Sequence, residues 1–148
     1  MKAQQIKINT KSKKYSIFIG SKLISKLDKI LISQKISFPK VMIVIDKNIP
    51  SKFKSKLIKN LKSNTKKIYY FNANEKNKNQ KNVNKIIDIM LNKNFTRDDC
   101  LISIGGGITG DVSGFAASLF KRGLKFINLP TTLLSQVDSS IGGKTGVN

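Results

Sequence analysis

Histidine and tryptophan are absent from this 148-residue chain, cysteine occurs once, proline three times, and only eight residues are acidic. A single cysteine cannot form an internal disulfide, so Cys100, at the start of an apolar run, is expected to pack as a small hydrophobic side chain in a reducing compartment. Without histidine, a zinc site would need carboxylates or Cys100. The first 14 residues lack the apolar stretch of a signal peptide, and no later run is long enough to cross a bilayer. These absences predict a soluble cytoplasmic protein.

Basic residues are abundant, and their excess gives a formal net charge of +20. Residues 1–99 carry 24 basic and 6 acidic side chains, a net of +18, whereas residues 100–148 carry 4 and 2, a net of +2. Nearly all of the excess is lysine, whereas specific nucleic-acid readers more often use arginine forks and interleaved aromatic rings. The pattern favours solvated lysine-rich faces that bind polyanions non-specifically, with a basic nucleic-acid binder as an alternative.

Short apolar runs alternate with helical patterns along the chain. The runs predict strands at residues 5–9, 15–19, 41–45, 68–71, 101–104 and 125–129. Apolar residues at helical spacing predict helices at 21–32 with Ser21 as its cap, after Pro50, at 83–91 and at 109–120. Strands separated by helices imply an α/β fold, a Rossmann-like, mainly parallel sheet with flanking helices, in one domain over residues 1–148. Ligands are then expected in the loops after the strand ends.

Glycines at positions 105, 107 and 110 fit the pattern G-x-G-x-x-G, between a predicted strand and a predicted helix. Glycines permit a tight turn and close approach of a pyrophosphate, and the helix start offers unpaired N–H groups. A flexible glycine-rich turn is the simpler alternative. The pattern follows a late strand, and the acidic residue usually found about twenty positions downstream is missing. Asp46 and Glu75 follow earlier strands and could supply a carboxylate, although either could equally be a solvated loop acid.

Two further polar clusters follow the last predicted strand. The first, at residues 129–134, places two hydroxyl groups after Pro130. The second, at 138–146, resembles a P-loop, but Asp138 stands where a Walker A motif requires glycine, so an ATPase is excluded. An acid, hydroxyls and Lys144 around glycines suit an anionic substrate that bears hydroxyl groups.

Residues 103–148 closely resemble dehydroquinate synthase of the shikimate pathway. The likeness rests on Gly-Gly-Gly-x-x-Gly-Asp, Lys-Arg-Gly, Pro-Thr-Thr-Leu-Leu-Ser-Gln-Val-Asp-Ser-Ser and Gly-Gly-Lys-Thr-Gly-Val-Asn. The rest of the chain fits that family's N-terminal domain in order and spacing. Iron-type alcohol and glycerol dehydrogenases share the fold and the glycine loop. They do not normally carry the long stretch from Asp-Ser-Ser to Lys-Thr-Gly, so the chain resembles them less.

The resemblance implies site residues. An Asp-x-Asn after a strand and a Gly-Glu-x-x-Lys loop would hold the adenosine end of NAD, with Asn72 and Asn74 standing where the family usually has Pro and Gly. Catalytic roles would fall to Asp138, to Lys144 and, across a subunit contact, to Arg122. The implied NAD-binding residues are Asp46, Asn48, Asn74, Glu75, Lys78, Gly106, Gly107, Ile108, Thr109, Gly110, Asp111, Thr131, Thr132 and Lys144.

The same resemblance implies a phosphorus–oxygen lyase of aromatic amino-acid biosynthesis. With NAD and a divalent metal, zinc or cobalt, it would act as a homodimer that converts a deoxy-heptulosonate 7-phosphate to 3-dehydroquinate and releases phosphate. The family's metal ligands, a Glu and two His, belong to a helical C-terminal domain, and the chain contains no His. We therefore expect residues 1–148 to be an N-terminal NAD-binding domain, inactive by itself. A nucleotide-binding remnant or interaction module without catalysis is the alternative.

Overall fold

The computed structural model describes residues 3–11, 14–61, 63, 65–143 and 145–148. They divide into two compact units, Met1–Ser37 with Lys52–Lys62 and Phe38–Ser51 with Ser63–Asn148. All expected site residues belong to the second unit, although Lys144 lies outside the described residues. The expectation of a single domain stays a prediction.

The first unit contains a hairpin and two helices. The two predicted N-terminal strands are present as β1 (Gln4–Asn9) and β2 (Lys14–Ile19), and they pair antiparallel. A 3₁₀ turn at Leu23–Lys26 leads into α1 (Leu27–Ser33), and α2 (Ser51–Asn60) begins directly after Pro50. Helix formation in this unit therefore follows the predicted pattern, with one difference at its start.

Ser21 does not cap the first helix, so that expectation is wrong. Lys22, at φ 57, occupies the cap of the 3₁₀ turn, and no side chain caps it among the described residues. The Lys22 carbonyl instead accepts from the backbone N–H of Ser25 at 3.1 Å. A left-handed residue between Ser21 and the turn moves the helix start beyond the reach of the serine hydroxyl.

The second unit is built on a four-stranded parallel sheet. Its strands are β3 (Lys40–Asp46), β4 (Thr65–Phe71), β5 (Cys100–Gly105) and β6 (Lys125–Pro130), in the order β4-β3-β5-β6. Residues 41–45 are completely buried, which suits an apolar, β-branched run in the middle of a parallel sheet. This sheet with its helices confirms the expected α/β fold class.

Three helices accompany this sheet: α3 (Gln80–Asn92), α4 (Gly107–Leu119) and the short α5 (Leu133–Val137). Helices α3 and α4 share one apolar cluster with the sheet, to which Ile86, Val112 and Leu101 contribute. Burial of each large apolar side chain stabilises the fold by about 1.5–3 kcal/mol. The cluster therefore fixes α4, and with it the loop that precedes α4, against β5.

The strand order places a change of direction at the centre of the sheet. From β3 the chain proceeds to β4 on one side, whereas from β5 it proceeds to β6 on the other. Ligands of open parallel sheets bind in the crevice outside the carboxyl ends of the strands at such a point. The carboxyl ends of β3 and β5, at Asp46 and Gly105, mark this position.

Helix α5 has an exposed apolar face. Leu133, Leu134 and Val137 keep between 66% and 76% of their surface exposed. The helix has five residues, and no helix in the part of the chain that the structure describes is long and apolar enough to cross a membrane. Such a face is a candidate contact surface.

Cys100 should be unreactive in the native protein. It is fully buried, and burial raises the pKa of its thiol to about 12, so almost no thiolate forms at pH 8. We expect an aromatic disulfide reagent to leave Cys100 unmodified at pH 8 and to label it within minutes in urea. Ser118→Cys, exposed on α4, should react at once. Rapid labelling of the native unmodified chain would show that the start of β5 opens readily.

Candidate functional site

Four loops that carry the expected site residues follow the carboxyl ends of the four parallel strands. Asp46 ends β3, residues 72–79 follow β4, the glycine loop joins β5 to α4, and Thr131 follows β6. In a parallel sheet these ends lie along one edge, with adjacent strands about 4.8 Å apart. Asp46 and Gly105 are therefore close neighbours, because Ile45 pairs with Ile104 immediately before them.

The glycine loop ends in a helix start with available N–H groups. Gly106 occupies the N-cap of α4 in extended conformation, and among the described residues no side chain caps it. The first helical hydrogen bond runs from the N–H of Gly110 to the carbonyl of Gly106, at 3.1 Å. The N–H groups of Gly107, Ile108 and Thr109 precede it and lie at the positive end of the helix. This end can bind an anion.

Close packing excludes a side chain at Gly105 and leaves little room for one at Gly107 and Gly110. A Cβ on Gly105 would lie 2.5 Å from Oγ1 of Thr109, and one on Gly110 would lie 3.3 Å from the Asn128 amide nitrogen. A Cβ on Gly107 would lie 3.2 Å from Oγ of Ser139. Gly105 and Gly110 therefore let α4 approach the sheet, whereas Gly107 faces the segment after α5.

Thr132 belongs to a cap that was not predicted. Its side chain accepts from the N–H of Ser135, and Ser135 Oγ accepts in return from the N–H of Thr132, both at 3.3 Å, so a capping box begins α5. The neighbouring Thr131 donates its N–H to the carbonyl of Gly105 at 2.9 Å. The two threonines thus lie beside the glycine loop, and the Thr132 hydroxyl is already hydrogen-bonded.

An ion pair joins the loop after β4 to α4. Lys78 Nζ lies 2.8 Å from Asp111 Oδ2, and both side chains are partly exposed. The hydrogen bond to Asp111 raises the pKa of Lys78 above its usual 10.5; partial burial opposes the rise, and the charges of Asp111 and Glu75 add to it. These three residues were expected in one site, and the structure brings them together.

Asparagines shape the Glu75 loop. Asn74 caps the 3₁₀ turn Glu75–Asn77 by accepting from the N–H of Asn77, and Asn79 caps α3 in the same manner. Asn74 is extended, with φ −152, so its position makes no demand for glycine. The side chain of Asn77 donates to the carbonyl of Asn72 at 2.8 Å. The departure from the family's Pro and Gly is therefore compatible with an ordered loop.

Asp46 forms a local turn. Its Oδ1 accepts from the N–H of Asn48 at 2.9 Å, and its carbonyl accepts from the N–H of Ile49. This arrangement fixes the carboxylate beside the end of β5. Asn48 is exposed at the same turn.

A cleft of about 400 Å³ lies next to the Lys78–Asp111 pair. Asp138 and Ser139 line it, together with Ile141 and residues 145–148. The Ser139 hydroxyl is buried and has no hydrogen-bond partner within the described ranges. The sequence analysis included Ser139 only among the hydroxyls of the cluster at residues 138–146 and gave it no role of its own.

Of the described residues that were expected in the site, Lys78, Asp111 and Asp138 line this cleft, and the others lie outside its lining. Arg122 is exposed just beyond the far end of α4, about 20 Å along the helix from the glycine loop. Lys144 lies outside the described residues. Within the described part of the chain, no group of three or more His, Cys, Asp and Glu side chains could hold a metal ion.

Comparison with known proteins places these loops in a family. Residues 68–148 match the model described as 3-dehydroquinate synthase N-terminal. A 3-dehydroquinate synthase of Pelagibacter ubique (strain HTCC1062) is 62% identical over 144 residues, which are 97% of this chain and 39% of that protein. The chain spans about 40% of the length of the curated relatives it matches.

Solved structures show the same architecture. A 2-deoxy-scyllo-inosose synthase complexed with carbaglucose-6-phosphate, NAD+ and Co2+ has a TM-score of 0.88 at 23% identity, covering 98% of this chain and 40% of that one. This likeness shows the fold alone. A 2-epi-5-epi-valiolone synthase from Streptomyces hygroscopicus subsp. jinggangensis 5008, with NAD+ and Zn2+ bound, is 31% identical with a TM-score of 0.70, covering 79% of this chain and 33% of that one.

Replacement of Lys78 by methionine should destabilise the protein in a pH-dependent manner. Because folding raises the pKa of Lys78, its ion pair contributes stability below pH 10.5 and loses it as the pH rises through the folded pKa. Urea unfolding should show a loss of about 1 kcal/mol at pH 7 that shrinks above pH 10.5. The exposed Lys76→Met is the matched control and should change stability by less than about 0.5 kcal/mol. Equal stability of all three proteins at pH 7 would contradict the ion pair.

Proposed function

Because this chain belongs to the 3-dehydroquinate synthase family, we propose that it supplies the NAD-binding part of an enzyme that converts a deoxy-heptulosonate 7-phosphate to 3-dehydroquinate. The observation that carries the proposal is the meeting of an uncapped helix start with the Lys78–Asp111 pair at one edge of the sheet. Anion-binding amides and paired charges at a sheet edge suit a dinucleotide. The enzyme would be a lyase, since phosphate is eliminated without net oxidation.

The pyrophosphate of NAD would bind at the start of α4. The N–H groups of Gly107, Ile108 and Thr109 lie there, and the absence of a Cβ at Gly107 keeps the approach open toward Ser139. The buried Ser139 hydroxyl, which has no hydrogen-bond partner among the described residues, fits an additional donor at this position. Gly106, Gly110 and the cap of α5 would then shape the walls.

Carboxylates from two neighbouring loops would hold the adenosine end. Asp46 stands at the end of β3 and Glu75 in the loop after β4, and carboxylates accept from ribose hydroxyls. Asn48 and Asn74 would border the same region. Lys78, which is paired with Asp111, would place a positive charge near the phosphates of NAD.

The remaining residues would serve the substrate. Asp138 lines the cleft, and Thr131 and Thr132 lie beside the glycine loop, so they suit the nicotinamide and the sugar phosphate. Lys144 would contact both substrate and nicotinamide. Arg122, exposed at the opposite end of α4, would bind an anionic group across a subunit contact in a homodimer.

Bound NAD would supply a transient hydride acceptor that makes a ring position of the substrate acidic enough for phosphate to leave. The residues of this chain would hold the cofactor and substrate in line and exclude water. Among the described residues, no group of three or more His, Cys, Asp and Glu side chains fits zinc or cobalt. The alternative function is a nucleotide-binding module without catalysis, which would use the same cleft.

Gly107→Val should abolish NAD binding. Its branched side chain would extend toward Ser139, where even a Cβ lies only 3.2 Å from the hydroxyl, and would fill the approach to the helix start. Calorimetry should show at least a tenfold loss of affinity, equivalent to about 1.4 kcal/mol. Ser118→Val adds the same side chain at an exposed position of α4 and should bind NAD normally. Unchanged affinity in Gly107→Val would exclude the glycine loop as the phosphate site.

Catalysis is tested in a chimera. Residues 1–148 would replace the matching segment of the full-length Pelagibacter relative, to which the chain is 62% identical. We expect phosphate release from the heptulosonate phosphate, and we expect Lys144→Ala in the chimera to reduce it at least a hundredfold, because a positioned cation would be lost. A folded chimera that binds NAD but releases no phosphate would favour the non-catalytic module.

A further inference from the structure

Residues 145–148 return to the loop after β4. The backbone N–H of Asn148 donates to the carbonyl of Lys78 at 3.0 Å, and its side-chain amide donates to Glu75 Oε1 at 2.9 Å. Asn148 and Glu75 are 73 positions apart in the sequence. One residue therefore binds both the carboxylate and the backbone of the loop that carries Glu75 and Lys78.

The same segment is anchored against α4. Val147 packs on the apolar cluster of the second unit. A Cβ on Gly114 would lie 2.5 Å from the methyl carbon of Thr145, so the glycine leaves the space that this methyl group fills. The segment is thus held at one end by α4 and at the other by the Glu75 loop.

The chemistry of Asn148 suits its position. Glu75 and Asp111 both act on Lys78, whose pKa their charges help to raise. A neutral amide donor satisfies an oxygen of Glu75 without changing this balance of charge. An acidic side chain in its place would repel Glu75, and a basic one would compete with Lys78.

We propose that residues 145–148 hold the Glu75 loop in the orientation that receives NAD, with Asn148 as the positioning residue. The inference rests on the proposed function, in which Glu75 and Lys78 contact the dinucleotide. Residues 145–148 also line the cleft. Residues 145–148 could therefore instead obstruct the binding of NAD, and the test below distinguishes this role from positioning.

The test is the pH profile of NAD affinity in Asn148→Asp. At pH 8 the new carboxylate would repel Glu75, and we expect the Kd to rise about tenfold. At pH 5 a proton shared between the two carboxyl groups restores a hydrogen bond, and the Kd should return to within about twofold of the unmodified protein at that pH. Asn92→Asp, exposed at the far end of α3, adds the same charge and should show no such profile. Tighter binding by Asn148→Ala would overturn the proposal in favour of obstruction.

Hydrogen exchange measured without ligand distinguishes a failure of the proposed NAD-binding function from a failure of the positioning role of Asn148. The amides of Asn77 and Lys78 donate within the Glu75 turn, and at pH 8 they should exchange at least fivefold faster in Asn148→Asp than in the unmodified protein. If NAD does not bind but exchange responds in this way, the proposed function fails and the positioning contact stands. Unchanged exchange and unchanged Kd in Asn148→Asp would overturn the positioning role.

Discussion

The close approach of α4 to the end of β5 sets the geometry of the whole cleft. Gly105 admits the side chain of Thr109, and Gly110 admits Asn128, so the helix begins directly above the edge of the sheet. Buried apolar contacts with α3 hold it there. Any side chain at Gly105 would move α4, and the uncapped N–H groups and Asp111 would move with it. The electrostatic properties of the site thus depend on a steric constraint.

Polar contacts then connect the segments around this fixed helix, one of them made by α4 itself. Asp111 on α4 holds Lys78, Asn148 holds the loop that carries Lys78, and Thr131 bonds to the end of β5. Each contact by itself contributes little to stability, since partly exposed ion pairs and hydrogen bonds give about 1 kcal/mol or less. Their effect is on orientation, because they fix side chains from distant parts of the sequence at one sheet edge.

The regular elements were accessible from sequence because their signals are local. The run at residues 41–45 and the helical spacing of Val83, Ile86 and Met90 are read within a single window, and both were confirmed. Helix α5 was missed because five residues are too few for a periodic signal. The contact of Asn148 with Glu75 joins residues that no local pattern relates. The expected roles of Asp46, Asp138 and Arg122 came from resemblance and stay predictions.

The strand order has a consequence for synthesis on the ribosome. Strand β3 occupies an inner position, but its neighbour β5 ends about 60 residues later in the chain. Because synthesis adds about 5–20 residues per second, one edge of the completely apolar strand β3 stays unpaired for about 3–12 s. Unpaired apolar edges recruit other strands. The lysine-rich sequence between β3 and β5 adds positive charge to the nascent chain during this interval, and mutual repulsion of such chains opposes their aggregation.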